Sequence, residues 1–313
     1  MKGSPMKKVM VLMTGGTIAQ KVDASGRMQI SRSIDDLVDN IATSAILDKK
    51  SFGVRTGANL TFSTALEIGH FIVENADQYD GFVLITGTDS MEELGFFLDC
   101  TMRIDAPVIL TGAMKPADII GYDGSANLEQ AIQVATSGSA RMRGVMLVMN
   151  DNIHLARYVR KQDSQLIGAF TSHPGPVGQI RRGCVYFYYE NKRNPLYFDV
   201  SKLEDIQKNV QSLIFTFGLQ LPREILPQCD GLIVAGMGTA SISEEWISEL
   251  ARDWTSNIPI VLVSRCWQGT NYDESYYRGS LEKYEEKGFH LSDFAELNIM
   301  QARIKLLLEL STE

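Results

Sequence analysis

Several large classes of protein are excluded by what the chain does not contain. Its 313 residues hold only four cysteines, Cys100, Cys184, Cys229 and Cys266, far apart and without a CxxC pair. That spacing supports neither a zinc ribbon nor a disulfide framework, and it fits a reducing cytoplasm. Long apolar runs are missing as well. Val9 to Met13 is too short for a signal-peptide core and ends at a glycine turn, and no later stretch approaches the ~18 apolar residues of a membrane span. Positive charge is scattered: 30 Lys and Arg stand against 38 Asp and Glu, for a net charge of -8, without the basic clusters a nucleic acid or anionic membrane would require. The expected partner is therefore neither nucleic acid nor membrane. The chain also lacks GxGxxG, a Walker lysine, a GxSxG elbow, HExxH and close Cys/His spacing, and its histidines, His70, His154, His173 and His290, sit in unrelated contexts. Serine-triad and zinc chemistry are disfavoured on that ground. The opening MKGSP reads as a leader outside the fold.

What is present is a regular alternation. Apolar or β-branched runs bounded by Gly, Pro or Asp recur as KVMVLM, SFGVR, GFVLIT, APVILTG, RGVMLVMN, QSLIFTFG, GLIVAG and IPIVLVS, which predicts buried parallel strands. Between them, Thr64 to Asn75 (opening on a Thr64–Glu67 capping box), SMEELGFFLD, SANLEQAIQVAT, SISEEWISELARDW and LNIMQARIKLLLEL carry helical spacing. The fold class is α/β, with parallel sheets covered on both faces. A hydrophobic content of 44% supplies enough apolar surface for two cores. The charged stretch ENKRNPLYFDVSKLEDIQKN, residues 190–209, interrupts the alternation. It places one domain over 6–195, a linker over 196–209 and a second domain over 210–313.

The first strand runs into Gly15-Gly16-Thr17, and the third long run ends in Gly87-Thr88-Asp89. Ligands of open parallel sheets bind beyond the carboxyl ends of the strands, where glycines let backbone amides approach closely. Taken alone, Thr17 has three readings: a turn-capping hydroxyl, part of a phosphate cradle, or a nucleophile. Asp89 or Ser90 reads equally well as an N-cap, worth about 1 kcal/mol to the following helix. Lys161 lies in RYVRKQD, a run that by itself reads as solvated surface. Asp123 and Asn127, in GYDGSANLEQ, read as a loop and helix start rather than a calcium site. Trp267, Tyr272, Tyr276 and Tyr277 form an aromatic cluster that suits a subunit interface or a small pocket.

Four motifs taken in order, TGGTIA at 14–19, TGTDSMEELGFFLD at 86–99, PVILTGAMKPADIIGYDGSANLEQAI at 107–132 and GVMLVMNDNIHLARYVRKQDS at 144–164, resemble the bacterial-type asparaginase/glutaminase family of amidohydrolases. The resemblance covers nearly the whole chain. It implies a larger N-terminal and a smaller C-terminal α/β domain, tetramers of intimate dimers, and no metal or organic cofactor. It implies Thr17 as the attacking threonine, Thr88 as a second active-site threonine, Asp89 beside it, and Lys161 as the lysine that works with Thr88. Amides of Gly15-Gly16 and Gly87-Thr88 are then oxyanion-hole candidates, and Asp89 is placed to bind a substrate ammonium. Substrate contacts are expected from Gly16, Gly87, Gly57, Ala58 and Asp89, and the reaction is hydrolysis of asparagine to aspartate and ammonia.

Two departures bear on specificity. The family's loop tyrosine is absent from QKVDASGRMQISRS, which has Arg27 and Met28 near the corresponding place. The serine and polar pair that clasps the substrate carboxylate is replaced by Gly57 and Ala58. Beside asparagine hydrolysis stand two alternatives: a relative turned to another amide, and a catalytically silent amino-acid binder.

Overall fold

The computed structural model describes residues 6–312, so the expectation for MKGSP lies outside the described residues. The chain divides into two compact units, one ending at Glu204 and one beginning at Asp205. A short 3-10 turn, Val200–Lys202, lies just before that division.

In the first unit the strands are β1 (Lys8–Gly15), β2 (Gln20–Val22), β3 (Met28–Ile30), β4 (Ile46–Arg55), β5 (Gly81–Ile85), β6 (Val108–Thr111), β7 (Val145–Met149), β8 (Asn152–Leu155), β9 (Val159–Lys161), β10 (Phe170–Ser172), β11 (Gly178–Arg181) and β12 (Cys184–Phe187). Its helices are α1 (Ile34–Val38), α2 (Phe62–Glu74), α3 (Met91–Thr101) and α4 (Gly124–Thr136). Eight strands form one sheet in the order β12-β11-β8-β7-β6-β5-β1-β4. From β4 to β7 every pairing is parallel, as the apolar runs predict. Val9, Val11, Met13, Val83, Ile85, Ile109, Met146 and Val148 are buried, and Leu128, Ala131 and Ile132 of α4 pack with them. Each such Val, Ile, Leu or Met side chain contributes about 1.5–3 kcal/mol on leaving water.

The other half of the sheet corrects the all-parallel expectation: β7, β8, β11 and β12 pair antiparallel. Two tight turns account for two of these three pairings, β7 with β8 and β11 with β12. Asn150-Asp151 joins β7 to β8 and Arg182-Gly183 joins β11 to β12, all four residues with positive φ. Two-residue turns of that kind connect only antiparallel neighbours. The capping box assigned to Thr64 and Glu67 is also corrected. Helix α2 begins at Phe62, and its N-cap is Thr61, whose hydroxyl accepts the Thr64 N–H.

The second unit carries β13 (Val210–Ile214), β14 (Gly231–Gly236), β15 (Ile260–Ser264) and β16 (Phe289–His290), all parallel and in that order. With them are α5 (Glu244–Asp253), α6 (Glu282–Glu285) and α7 (Ile299–Thr312). Trp246 is fully buried at its core, edge-on to Phe215 at 5.1 Å. The two units together have the α/β architecture read from the sequence. Among the described residues no helix is long and apolar enough to cross a membrane.

Candidate active site

Strands β1 and β5 are parallel neighbours, with Val9 opposite Gly81 and Met13 opposite Ile85, so their carboxyl ends lie side by side. At those ends the side chains disappear. Gly15 and Gly16 have φ of 114° and 95°. A β-carbon on Gly16 would fall 2.6 Å from the Gly87 Cα, and one on Gly87 would fall 2.8 Å from the Gly57 Cα. Gly16, Gly87 and Gly57 therefore make a row of bare backbone across the ends of three segments. No β-carbon fits at Gly16 or Gly87, whereas one at Gly57 would stand 3.2 Å from the Ser90 hydroxyl. Gly112, at the end of β6, extends the close packing: its β-carbon would meet the Thr86 carbonyl at 2.6 Å. Beneath the row, Thr14 donates to the Thr86 hydroxyl at 2.8 Å, and both are buried.

Thr17 opens a 3-10 turn, Thr17–Ala19, right after Gly16. It is half-buried, and its hydroxyl makes no hydrogen bond to a described residue. Thr88 follows Gly87 and is 5% exposed. Lys161 arrives from β9, and its Nζ donates to Thr88 Oγ1 at 3.0 Å and to Asp89 Oδ1 at 2.6 Å. The Lys161 side chain is 12% exposed against 73% for Asp89. The solvated reading of Lys161 is thus corrected: the lysine is largely covered, behind an aspartate that faces outward.

The row brings Thr17, Thr88, Asp89, Gly16, Gly87 and Gly57 to one end of the sheet, and Lys161 joins them through Thr88. Ala58 is exposed, in the 3-10 turn Gly57–Asn59 that follows β4. One part of the amide expectation changes. The Gly16 N–H donates to the Arg55 carbonyl at 3.0 Å, so it is not available to an oxyanion. Among the described residues, the N–H groups of Thr17, Gly87 and Thr88 have no such acceptor. The stretch after Thr17 is not an irregular loop but the hairpin β2–β3, closed by Asp23, whose carboxylate accepts from Ser25, Arg27 and Gln29. Arg27 and Met28 are exposed on it.

Sequence reasoning missed Glu92. It lies in the first turn of α3, and its carboxylate accepts the Lys161 backbone N–H at 3.1 Å. Burial pushes its pKa up to about 7, with the Lys161 N–H opposing the rise. The acid at the second position of the helix is visible in TGTDSMEE, but its partner on β9 is not. Ser90, a cap candidate by sequence, has its hydroxyl buried without a hydrogen bond to a described residue, 3.2 Å from where a β-carbon on Gly57 would stand.

Asp123 accepts from the Met114 and Lys115 amides and from Asn127, which consumes its carboxylate in holding a loop. Among the described residues no group of three or more His, Cys, Asp and Glu side chains is arranged to hold a metal ion. Two open cavities are lined by other residues. One, about 740 Å³, is lined by Lys50, Phe52, His70 and Glu74, and His70 meets the Leu203 carbonyl at 3.0 Å. The other, about 790 Å³, is in the second unit and includes Tyr277; Tyr276 is exposed and Tyr272 packs on the core, so the aromatic run does not act as one cluster.

A largely covered lysine hydrogen-bonded to a threonine at a backbone-lined strand end, with a second hydroxyl on the adjoining turn, can hold and attack a small carbonyl compound. Comparison with known proteins agrees with that chemistry. The family described as "Asparaginase, N-terminal" matches residues 8–193, and the "Glutaminase/Asparaginase C-terminal domain" matches residues 219–313. The chain is 28% identical to the "Probable L-asparaginase" of Deinococcus radiodurans, over 98% of this chain and 94% of that one. It is 29% identical to "L-asparaginase 2" of Escherichia coli strain K12, over 98% and 89%, and 30% identical to "L-asparaginase 2-3" of Saccharomyces cerevisiae, over 86% and 79%. With both domain patterns matched in order along one chain, this protein belongs to the asparaginase family and is an amidohydrolase.

Proposed function

We propose that the enzyme hydrolyses the side-chain carboxamide of L-asparagine, with Thr17 as nucleophile. The observation that carries this reading is Lys161 Nζ, in contact with both Thr88 and Asp89 beside the glycine row that ends in Thr17. Thr17 Oγ attacks the carboxamide carbon, and its proton passes through the Thr88 hydroxyl to the Lys161 amine, which must be neutral at that moment. The oxyanion falls to the backbone amides of Thr17 and Thr88. The proton returns to the leaving nitrogen, the C–N bond breaks and ammonia departs. Water then attacks the Thr17 ester by the same relay and releases aspartate. Asp89 takes the substrate ammonium.

Replacing Thr17 by Ala tests this directly. Ammonia release is expected to fall by at least ~10³-fold with the thermal midpoint unchanged, and Lys161→Met is expected to fall by a similar factor, because members of one relay are not additive. A Thr17→Ala enzyme that still turns over refutes the assignment.

A second reading is supported by Gly57 and Ala58. Each hydrogen bond that a side chain there would make to a charged carboxylate is worth roughly 1.5–3 kcal/mol. Its absence weakens the hold on a free α-carboxylate, which asparagine and glutamine share, and so favours a peptide amide over either. Comparing ammonia release across these amides decides between the two readings, and tight binding without product would point to an amino-acid binder. Within the proposal the enzyme works in the cytoplasm as a homo-oligomer, a dimer or tetramer. Four free cysteines support the first point, and exposed Ile120 and Phe217 support the second.

A further inference from the structure

The Thr17 hydroxyl makes no hydrogen bond to a described residue, so its direction follows from the backbone of the turn that bears it. The carbonyls of that turn are all engaged. Gly16 O accepts from the Ala19 amide, Thr17 O from the Gln20 amide, and Ala19 O from the amides of Ser31 and Arg32. The remaining carbonyl, Ile18 O, is met by a side chain from a distant segment: Tyr122 Oη donates to it at 3.3 Å.

Tyr122 is itself held from three sides. Arg32 Nη1 donates to its oxygen at 3.1 Å, while Arg32 Nη2 is anchored on the Asp36 carbonyl at 2.9 Å. The ring folds back over Gly124, where any β-carbon would lie 2.3 Å from the phenol oxygen. Glycine at that position is what admits the ring. The next residue, Asp123, is buried and pins the loop through the Met114 and Lys115 amides and Asn127. Burial raises the phenol above its ordinary pKa, so it stays a donor.

We propose that Tyr122, seated on Gly124 and gripped by Arg32, is a positioning residue that aims the Thr17 hydroxyl by fixing the Ile18 carbonyl. The inference rests on Thr17 being the attacking group. It assigns Tyr122 no contact with substrate. Its weight in the reaction comes from geometry: a displacement of about 1 Å in a reacting group costs on the order of a hundredfold in rate.

The test is Tyr122→Phe, which keeps the ring on Gly124 and removes only the donor. With asparagine, kcat is expected to fall roughly tenfold or more while KM stays within about twofold, because the interaction acts on the attacking group and not on binding. Arg32→Met, which frees the phenol without touching the turn's other bonds, is expected to give a smaller fall of the same kind. It carries the test if Tyr122→Phe does not fold. A second measurement follows the rate at which a diazoketone analogue of glutamine labels Thr17, read by mass spectrometry of the intact enzyme. Labelling should slow by about the same factor as kcat. Unchanged kcat, unchanged labelling, or a loss confined to KM each overturns the inference. If the wild-type enzyme releases ammonia from no amide, the hydrolase reading fails, and the ratio of labelling rates still decides whether Tyr122 aims Thr17.

Discussion

Glu92 and His154 pay the same cost of burial with opposite consequences for stability. The Glu92 carboxyl is pushed up to about 7 from an ordinary 4.5, whereas the His154 imidazole is pushed down to about 4 from 6.5. His154 lies in β8, its Nδ1 2.7 Å from the Ser172 hydroxyl and its Nε2 buried without a hydrogen bond to a described residue. Between pH 4.5 and 7 the folded chain keeps a proton on Glu92 that the unfolded chain has lost, so this group makes stability fall as pH rises. Between pH 4 and 6.5 the unfolded chain binds a proton that folded His154 refuses, so that group makes stability rise with pH. The two oppose each other across the shared window. Relative to wild type, Glu92→Gln should gain stability with rising pH and His154→Gln should lose it, each by up to ~2–3 kcal/mol across the window. Urea unfolding at half-unit pH steps measures both, and parallel profiles for variant and wild type would refute the assignment. Neither group was visible as a pair beforehand: Glu92 and His154 lie in different motifs, and burial is a property of the neighbours that folding supplies.

At the scale of elements, the strand ends depend on glycine and the helix start on one threonine. Gly16→Ala places a methyl 2.6 Å from Gly87 Cα at a φ that side chains avoid, so backbone must move at the site itself. We expect at least ~10²-fold loss of turnover, since the attacking turn is displaced, and more than about 1 kcal/mol of stability. Gly26→Ala, at the open hairpin tip where nothing lies within 4 Å, costs turnover little and serves as the control. For α2, Thr61→Ala should cost about 1 kcal/mol as the loss of an N-cap. Glu67→Ala should cost much less, because Glu67 is not the partner of a capping box. Chemical denaturation of the two variants compares them. The misplaced cap has a plain cause: TFSTALE offers threonines at two positions three apart, and only the chain's path into the helix tells which one stands outside it. Strand direction posed the same difficulty. Apolar runs announce burial, while the sign of φ at Asn150 and Asp151 turns the sheet antiparallel.

For the molecule as a whole, thiol reactivity and mass are the accessible quantities. Cys184 and Cys266 are exposed, whereas Cys100 and Cys229 are buried. Burial also raises both buried thiols above their ordinary pKa. Titration with a thiol reagent should find two fast groups in the native enzyme and four after unfolding, with no change on prior reduction; a third fast group would contradict the burial. Light scattering should give two or four times 34.8 kDa if the homo-oligomer proposal holds, and a mass of one chain would end it.

The fold class and the division into two units were legible in the residues alone, because strand burial leaves a local signature in apolar runs and the four long motifs are contiguous in the chain. The sequence by itself determined also which side chains are absent near the site, at Gly57 and Ala58. Folding alone brings Lys161 against Thr88, sets Glu92 under its backbone, engages the Gly16 amide and carries Tyr122 to the Thr17 turn. Those facts depend on groups up to 104 residues apart approaching within hydrogen-bonding distance. Burial and proximity of that kind are set by packing, and no local pattern encodes them.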